Sequence, residues 1–255
     1  MKGYLHFINQ TLNLFTPNGC LLCKRTLAKD PICFKCLPKI PIVINSSRCF
    51  QCFSQNLKLD ASLTCALCQH MPLLFSSIRY IWEYEGKTKS LISYMKYAPS
   101  IRLCKFVGKI LVDFIGVAYP ALDWDIIIPI PASQSGLKMR GFAHCMIIAK
   151  EVAKSLKIQI ENNTLRHLGY NDFQASLDAS QRIINIKGAF KCKTDSLKNK
   201  RVLLIDDVMT TGATTTEAAL TLLNAGAASV DLLALARSHT WNERRIHQLP
   251  KYLRF

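Results

Sequence analysis

The sequence predicts an α/β domain, a parallel sheet flanked by helices, preceded by a small cysteine-rich module. Three observations predict it. Val202-Leu-Leu-Ile-Asp-Asp-Val-Met-Thr-Thr-Gly-Ala-Thr214 runs four apolar residues into an acid pair and a hydroxyl-rich loop, and a helical pattern follows over 215–225. Asp125-Ile-Ile-Ile-Pro-Ile-Pro131 is a second unbroken apolar run, as a strand buried on both faces requires. Eight of the 11 cysteines form four Cys-x-x-Cys pairs.

The elements follow in order. Leu5, Ile8, Leu12 and Phe15 form a helical stripe. It is interrupted by His6, Asn9, Gln10 and Asn13, which reads as a docking helix and not as a signal peptide. The pairs are Cys20/Cys23, Cys33/Cys36, Cys49/Cys52 and Cys65/Cys68. Each can present two thiolates from one tight turn, and two such turns complete a tetrahedral zinc site, so four imply two structural zinc ions. A disulfide framework needs an oxidising compartment, and a redox pair needs a thioredoxin-like βαβ setting; neither is in evidence here. Spacing leaves open which pairs share a metal. Cys104, Cys145 and Cys192 are scattered and read as packing residues.

Pro72 marks the boundary of a module spanning 1–71, too small to build an apolar core of its own. Residues 78–84 alternate as a strand, 87–97 and 102–117 carry helical stripes, and 125–131 is the buried strand. After the loop 132–141 a helix runs to Leu156, and a short strand starts at Ile158. Residues 166–190 lack a pattern, and a stretch of that length reads as a functional flap. Strands at 202–205 and 230–235 bracket the helix 215–225, whose start Thr214 and Glu217 would close as a capping box. The α/β domain is thus placed at 72–237, with a basic and aromatic tail at 238–255.

The hydroxyls of Thr210, Thr211 and Thr214, with the amides of Gly212 and Ala213 at a helix start, suit a phosphate. Asp206 and Asp207 would repel that phosphate by themselves. They fit a paired-hydroxyl sugar or a magnesium ion attached to it. A ribose 5-phosphate satisfies both halves of the loop.

No run of 18 uncharged apolar residues is present, so no spanning helix is expected. The formal net charge is +16. Two four-thiolate zinc sites at about −2 each bring it to roughly +12, still strongly basic, which points to a polyanionic partner such as nucleic acid. Aromatic residues beside cations at Phe34-Lys35, Arg48-Cys49-Phe50, Arg79-Tyr80 and Lys96-Tyr97 suit bases stacked on rings with cations on the backbone.

The segment 202–214 resembles the phosphoribosyl-pyrophosphate (PRPP) motif of type I phosphoribosyltransferases. The wider arrangement resembles the ComF (ComFC) competence family, in which zinc knuckles precede such a domain. The likeness is carried by Pro17-Asn-Gly-Cys-Leu-Leu-Cys23, Tyr84-Glu-Gly, Tyr94-Met-Lys-Tyr97, Ile128-Pro-Ile-Pro131, Arg140-Gly-Phe142, Gln174, Leu177, Arg182, Asn185, Gly188-Ala-Phe190 and the loop at Asp206. It implies ribose hydroxyls on Asp206 and Asp207, the 5-phosphate on Thr210, Thr211, Gly212, Ala213 and Thr214, and magnesium with PRPP. It also implies pyrophosphate at Pro131, Ala132, Ser133 and Arg140. The family's Arg-Gly-Phe-Asn-Gln departs here, with Ala143 and His144 in the last two places. Lys96, Arg140, Arg166 and Arg182 are candidate contacts for DNA.

Membership implies handling of single-stranded DNA during natural transformation, on the cytoplasmic side of the inner membrane and beside the DNA-uptake machinery. The alternative is an active transferase passing ribose 5-phosphate from PRPP to an acceptor that no segment identifies, so the sequence does not decide whether the chain is an enzyme.

Overall fold

The computed structural model describes residues 19–25, 30–43, 47–55, 58–70, 74–97, 100–119, 121–168, 186–192 and 197–238. The expected N-terminal helix, Gln174, Leu177, Arg182, Asn185 and the tail beyond 238 lie outside them. By its contacts the chain divides into Met1–Pro41 and Ile42–Phe255. The second cysteine group therefore belongs to the unit that holds the sheet, whereas the sequence grouped both sets within 1–71.

In the larger unit the strands β1 (Ser77–Glu83), β2 (Ile126–Pro129), β3 (Gln159–Ile160), β6 (Arg201–Met209) and β7 (Ser229–Arg237) form one sheet in the order β1-β7-β6-β2-β3. Every neighbouring pair in it is parallel. Around it lie the helices α1 (Ala66–His70), α2 (Gly86–Tyr97), α3 (Ile101–Ala118), α4 (Gln134–Arg140), α5 (His144–Leu156) and α6 (Ala213–Asn224). The central strands are apolar on both faces because helices cover both, and Val202–Ile205 and Leu232–Ala236 are fully buried. Helices α3 and α5 approach closely at Gly108, where a Cβ would come within 2.7 Å of the Glu151 Cβ.

Three elements differ from expectation. The loop 132–141 contains α4, whose start is capped by the Ser133 hydroxyl accepting from the Gly136 amide at 3.1 Å. It is stopped by Gly141 at φ 73°, where a Cβ would be strained. The described ends of the patternless stretch form a small antiparallel pair, β4 (Leu165–His167) with β5 (Phe190–Cys192). Finally, β6 does not stop at Ile205 but runs through both aspartates to Met209. Its extra length is paired on one side only: Asp206, Val208 and Met209 face Ala234, Ala236 and Arg237 of β7, while β2 ends opposite Ile205.

That overhang positions the site. From β2 the chain crosses to β3 on one side, and from β6 it crosses to β7 on the other. The reversal between β2 and β6 opens a crevice beyond the carboxyl ends of the strands, where ligands bind in open α/β sheets.

Candidate functional site

The crevice holds a cavity of about 110 Å³ lined by Ile130, Pro131, Ala132, Ala143, His144, Cys145, Asp206 and Asp207. The loop after β2, the start of α5 and the overhang of β6 supply its walls. Consecutive strand residues point to opposite faces, so the two carboxylates enter different surroundings. Asp207 turns toward α2 and α5. Its Oδ1 accepts from Lys96 Nζ at 3.0 Å and its Oδ2 pairs with His144 Nε2. Asp206 has no such ion pair among the described residues; its Oδ1 accepts from the Asp207 amide at 2.8 Å.

The electrostatics separate accordingly. Burial, and then the charge of Asp207, push the Asp206 carboxyl up to about 7. Burial would raise Asp207 as well, but the His144 hydrogen bond and the Lys96 charge hold it well below the usual carboxylate range. Lys96 is raised in turn, since attraction to Asp207 outweighs its burial. Burial lifts the Cys145 thiol well above its ordinary value.

The hydroxyl-rich loop is formed by Gly212 in the left-handed region at φ 76°, directly before α6. The Thr215 hydroxyl donates to the Gly212 carbonyl at 2.9 Å, and the Thr211 hydroxyl accepts from the Ala213 amide at 3.3 Å. Thr210 and Thr211 are half-buried and Thr214 is exposed. The capping box expected of Thr214 and Glu217 is absent: the helix starts earlier, at Ala213, and buried Glu217 instead accepts from the Gly188 amide at 2.7 Å.

The structure brings Pro131 and Ala132 to the cavity beside the two aspartates, while Ser133 caps α4. Lys96 is half-buried. The expected DNA contact is committed to Asp207, because α2 lays its C-terminal turn over the end of β6. Arg166 is exposed on β4, Arg140 ends α4, and Arg182 is outside the described residues. His144, the position that breaks the family pattern, gains a role the sequence did not show. A helix start placed over a strand end is the signal that points to it.

The cysteines form two groups, Cys20, Cys23, Cys33, Cys36 and Cys49, Cys52, Cys65, Cys68, each with its four sulfurs within 4.8 Å of one another. Neighbouring pairs therefore share a site and do not interleave. Both groups fit a structural zinc ion. Each first pair is followed by a residue at positive φ, Lys24 and Phe53, which folds the knuckle back on itself. In each group an amide donates to a sulfur at 3.3 Å, Cys33 to Cys20 and Cys65 to Cys49. The second group rests on three arginines. Arg48 donates to the Phe53 carbonyl at 3.1 Å, Arg79 to Phe50 at 2.7 Å and Arg237 to Cys52 at 3.0 Å. Arg79 and Arg237 are almost fully buried and Arg79 lies over the Phe50, Phe53 and Tyr119 rings. Arg48 and Arg79, expected on a DNA-binding surface, thus point inward, where carbonyls and rings satisfy them. Phe34 and Phe50 do remain exposed, with the Lys35 ammonium 5.7 Å from the Phe34 ring. Cys104 is buried as expected of a packing residue, and Cys145 is buried yet lines the cavity.

The phosphoribosyl transferase domain family matches residues 137–250. A "DNA utilization protein YhgH" of Salmonella typhimurium is 25% identical over 88% of this chain and 99% of its own length. A "Competence protein F" of Haemophilus influenzae is 24% identical over 86% of this chain and 96% of its own. "Competence protein ComFC" of Bacillus subtilis is 28% identical over 65% of this chain and 66% of its own.

Proposed function

We propose that this chain, which belongs to the ComF (ComFC) family, handles single-stranded DNA during natural transformation and carries a PRPP-type ribose-phosphate site. Its relatives are named for competence and DNA utilization across most of the chain, and residues 137–250 match the phosphoribosyl transferase domain family. The observation that carries the site is the cavity itself, in which both aspartates face the Pro131–Ala132 loop across the switch point of the sheet.

In this reading the ribose hydroxyls donate to Asp206 and Asp207, with Lys96 and His144 keeping Asp207 ionised and oriented. The 5-phosphate lies against the hydroxyls of Thr210, Thr211 and Thr214 and the amides of Gly212 and Ala213. Pro131, Ala132, Ser133 and Arg140 border the pyrophosphate. Magnesium bound with PRPP would neutralise charge on the pyrophosphate. DNA meets the basic surface through Arg140, Arg166 and Arg182 and through exposed Phe34 and Phe50, with no part for Lys96. The chain works on the cytoplasmic side of the inner membrane beside the uptake machinery. Among the described residues no helix is long and apolar enough to cross a membrane.

One observation favours transfer chemistry as the second reading. A carboxyl pushed to about 7 inside a ligand cavity, as at Asp206, is tuned to accept a proton near neutral pH. Released pyrophosphate from PRPP, magnesium and a panel of bases and amines would establish that reading.

Two measurements test the proposal. Titration calorimetry with PRPP and magnesium should show at least a roughly tenfold loss on Asp206→Asn, since a charged acceptor of sugar hydroxyls is removed; unchanged affinity discards the ribose assignment. Affinity for an unstructured oligonucleotide should fall steeply from 50 to 200 mM salt, because phosphate contacts release counterions. A flat response discards the DNA assignment.

A further inference from the structure

We infer that His144, Cys145 and Asp207 form a third metal site, for a zinc-class divalent ion, at the floor of the crevice. One donor atom from each residue lies within 4.8 Å of the others. Zinc bonds of ~2.0–2.3 Å in a tetrahedron place ligand atoms roughly 3.3–3.8 Å apart, so small side-chain adjustments close the set. An imidazole nitrogen, a thiol and a carboxylate together suit zinc and its neighbours. They do not suit magnesium or calcium, which take oxygen ligands.

The surroundings are those of a built site. His144 and Cys145 are buried at 3% and 7% exposure, and Asp207 at 9%. Lys96 holds Asp207 through Oδ1 and leaves Oδ2 turned to His144, the outer support that fixes a ligating carboxylate. His144 would reach the ion through Nε2, the nitrogen that faces Asp207 Oδ2, so that their hydrogen bond gives way to two bonds to the ion. Three protein ligands leave a fourth position, and the cavity beside it is walled by Asp206, Pro131 and Ala132. Closed structural sites lack such a position; sites that bind water or a ligand on the metal keep it. On coordination the Cys145 thiol releases its proton to solvent, the proton between His144 Nε2 and Asp207 Oδ2 passes to Nδ1, and the thiolate and carboxylate together balance the two positive charges of the ion. The inference needs only these three donors and does not depend on the ribose-phosphate reading.

The full-length protein, His144→Gln and Cys145→Ser would each be incubated with excess zinc sulfate, desalted and assayed for zinc per chain, with thermal melts to confirm folding. Each variant should retain one zinc fewer than the parent. Equal zinc content in all three overturns the inference. Because the reading is a difference, the occupancy of the four-cysteine groups does not enter it, and PRPP affinity, measured separately, bears on the other assignment. Should a variant fail to fold, the parent loaded with cobalt(II) decides. A one-thiolate tetrahedral spectrum beyond that of the four-thiolate centres supports the site, and its absence overturns it.

Discussion

Replacing Asp206 by asparagine should stabilise the protein above neutral pH while impairing its site. The Asp206 carboxyl ionises at about 7 in the fold, against 3.8 for an unperturbed aspartate, because burial and then the Asp207 charge oppose its ionisation. A group raised in this way favours folding below pH 3.8, and that contribution is lost as pH rises through 7. The two values differ by enough to make ionised Asp206 cost about 4 kcal/mol at pH 8.5. At ~2–4 °C per kcal/mol for a unit of this size, the Asp206→Asn melting temperature should exceed the parent's by up to roughly 16 °C at pH 8.5. At pH 5.5, where the unfolded carboxyl is already ionised and the folded one is not, the difference should shrink to roughly half of that. Asp207 does not interfere: it is lowered, so its contribution is present above 3.8 and lost only as pH falls further into the acid range. Fluorescence melts of both proteins at the two pH values, in buffers of equal ionic strength without added zinc, give the comparison. A variant less stable than the parent at pH 8.5, or an equal difference at both pH values, would refute the account of Asp206 as a strained carboxylate.

Other outcomes follow from the same geometry. Lys96→Met removes the only lysine paired with Asp207 among the described residues and leaves a buried carboxylate half-compensated, a loss of about 3 kcal/mol by chemical denaturation at pH 7. Cys49→Ser should lower the melting temperature of the sheet-bearing unit, because Arg48, Arg79 and Arg237 are anchored on that knuckle. Cys20→Ser, in the other compact unit, should shift that transition little; calorimetry of both variants compares them. Gly108→Ala forces α3 away from the Glu151 Cβ and should cost about 1–3 kcal/mol in urea unfolding, despite alanine's better helix propensity.

Much of this fold is legible from the chain because local and global signals agree. Ile126–Pro129 and Val202–Ile205 are apolar without alternation, and they are the strands covered on both faces. The glycine after the threonines takes the left-handed turn that starts α6. The pairing of the cysteines was not legible, since spacing alone permits neighbouring or interleaved sites. The reach of β6 past Ile205 was not legible either: two strand-averse aspartates break the apolar run, and pairing with β7 holds them extended. Lys96 and His144 were visible as residues but not as partners. They lie 111 and 63 positions from Asp207, and only the crossing of α2 and α5 over one strand end brings them together.

The two aspartates, alike in the sequence, therefore cannot act alike. Asp207 is clamped between a lysine and an imidazole and stays charged across the physiological range. Asp206 pairs with neither of them among the described residues and hovers between charge states at neutral pH. Where the environments of paired acids are driven apart, the fixed charge orients and the tuned one exchanges protons. A ligand hydroxyl at Asp206 stabilises the ionised form by donating to it. Binding should therefore take up hydroxyl donors while releasing a proton below pH 7. Calorimetry of PRPP binding at pH 6.5 in two buffers of different ionisation enthalpy counts that proton. A count of zero would return Asp206 to the status of an ordinary acid at a strand end.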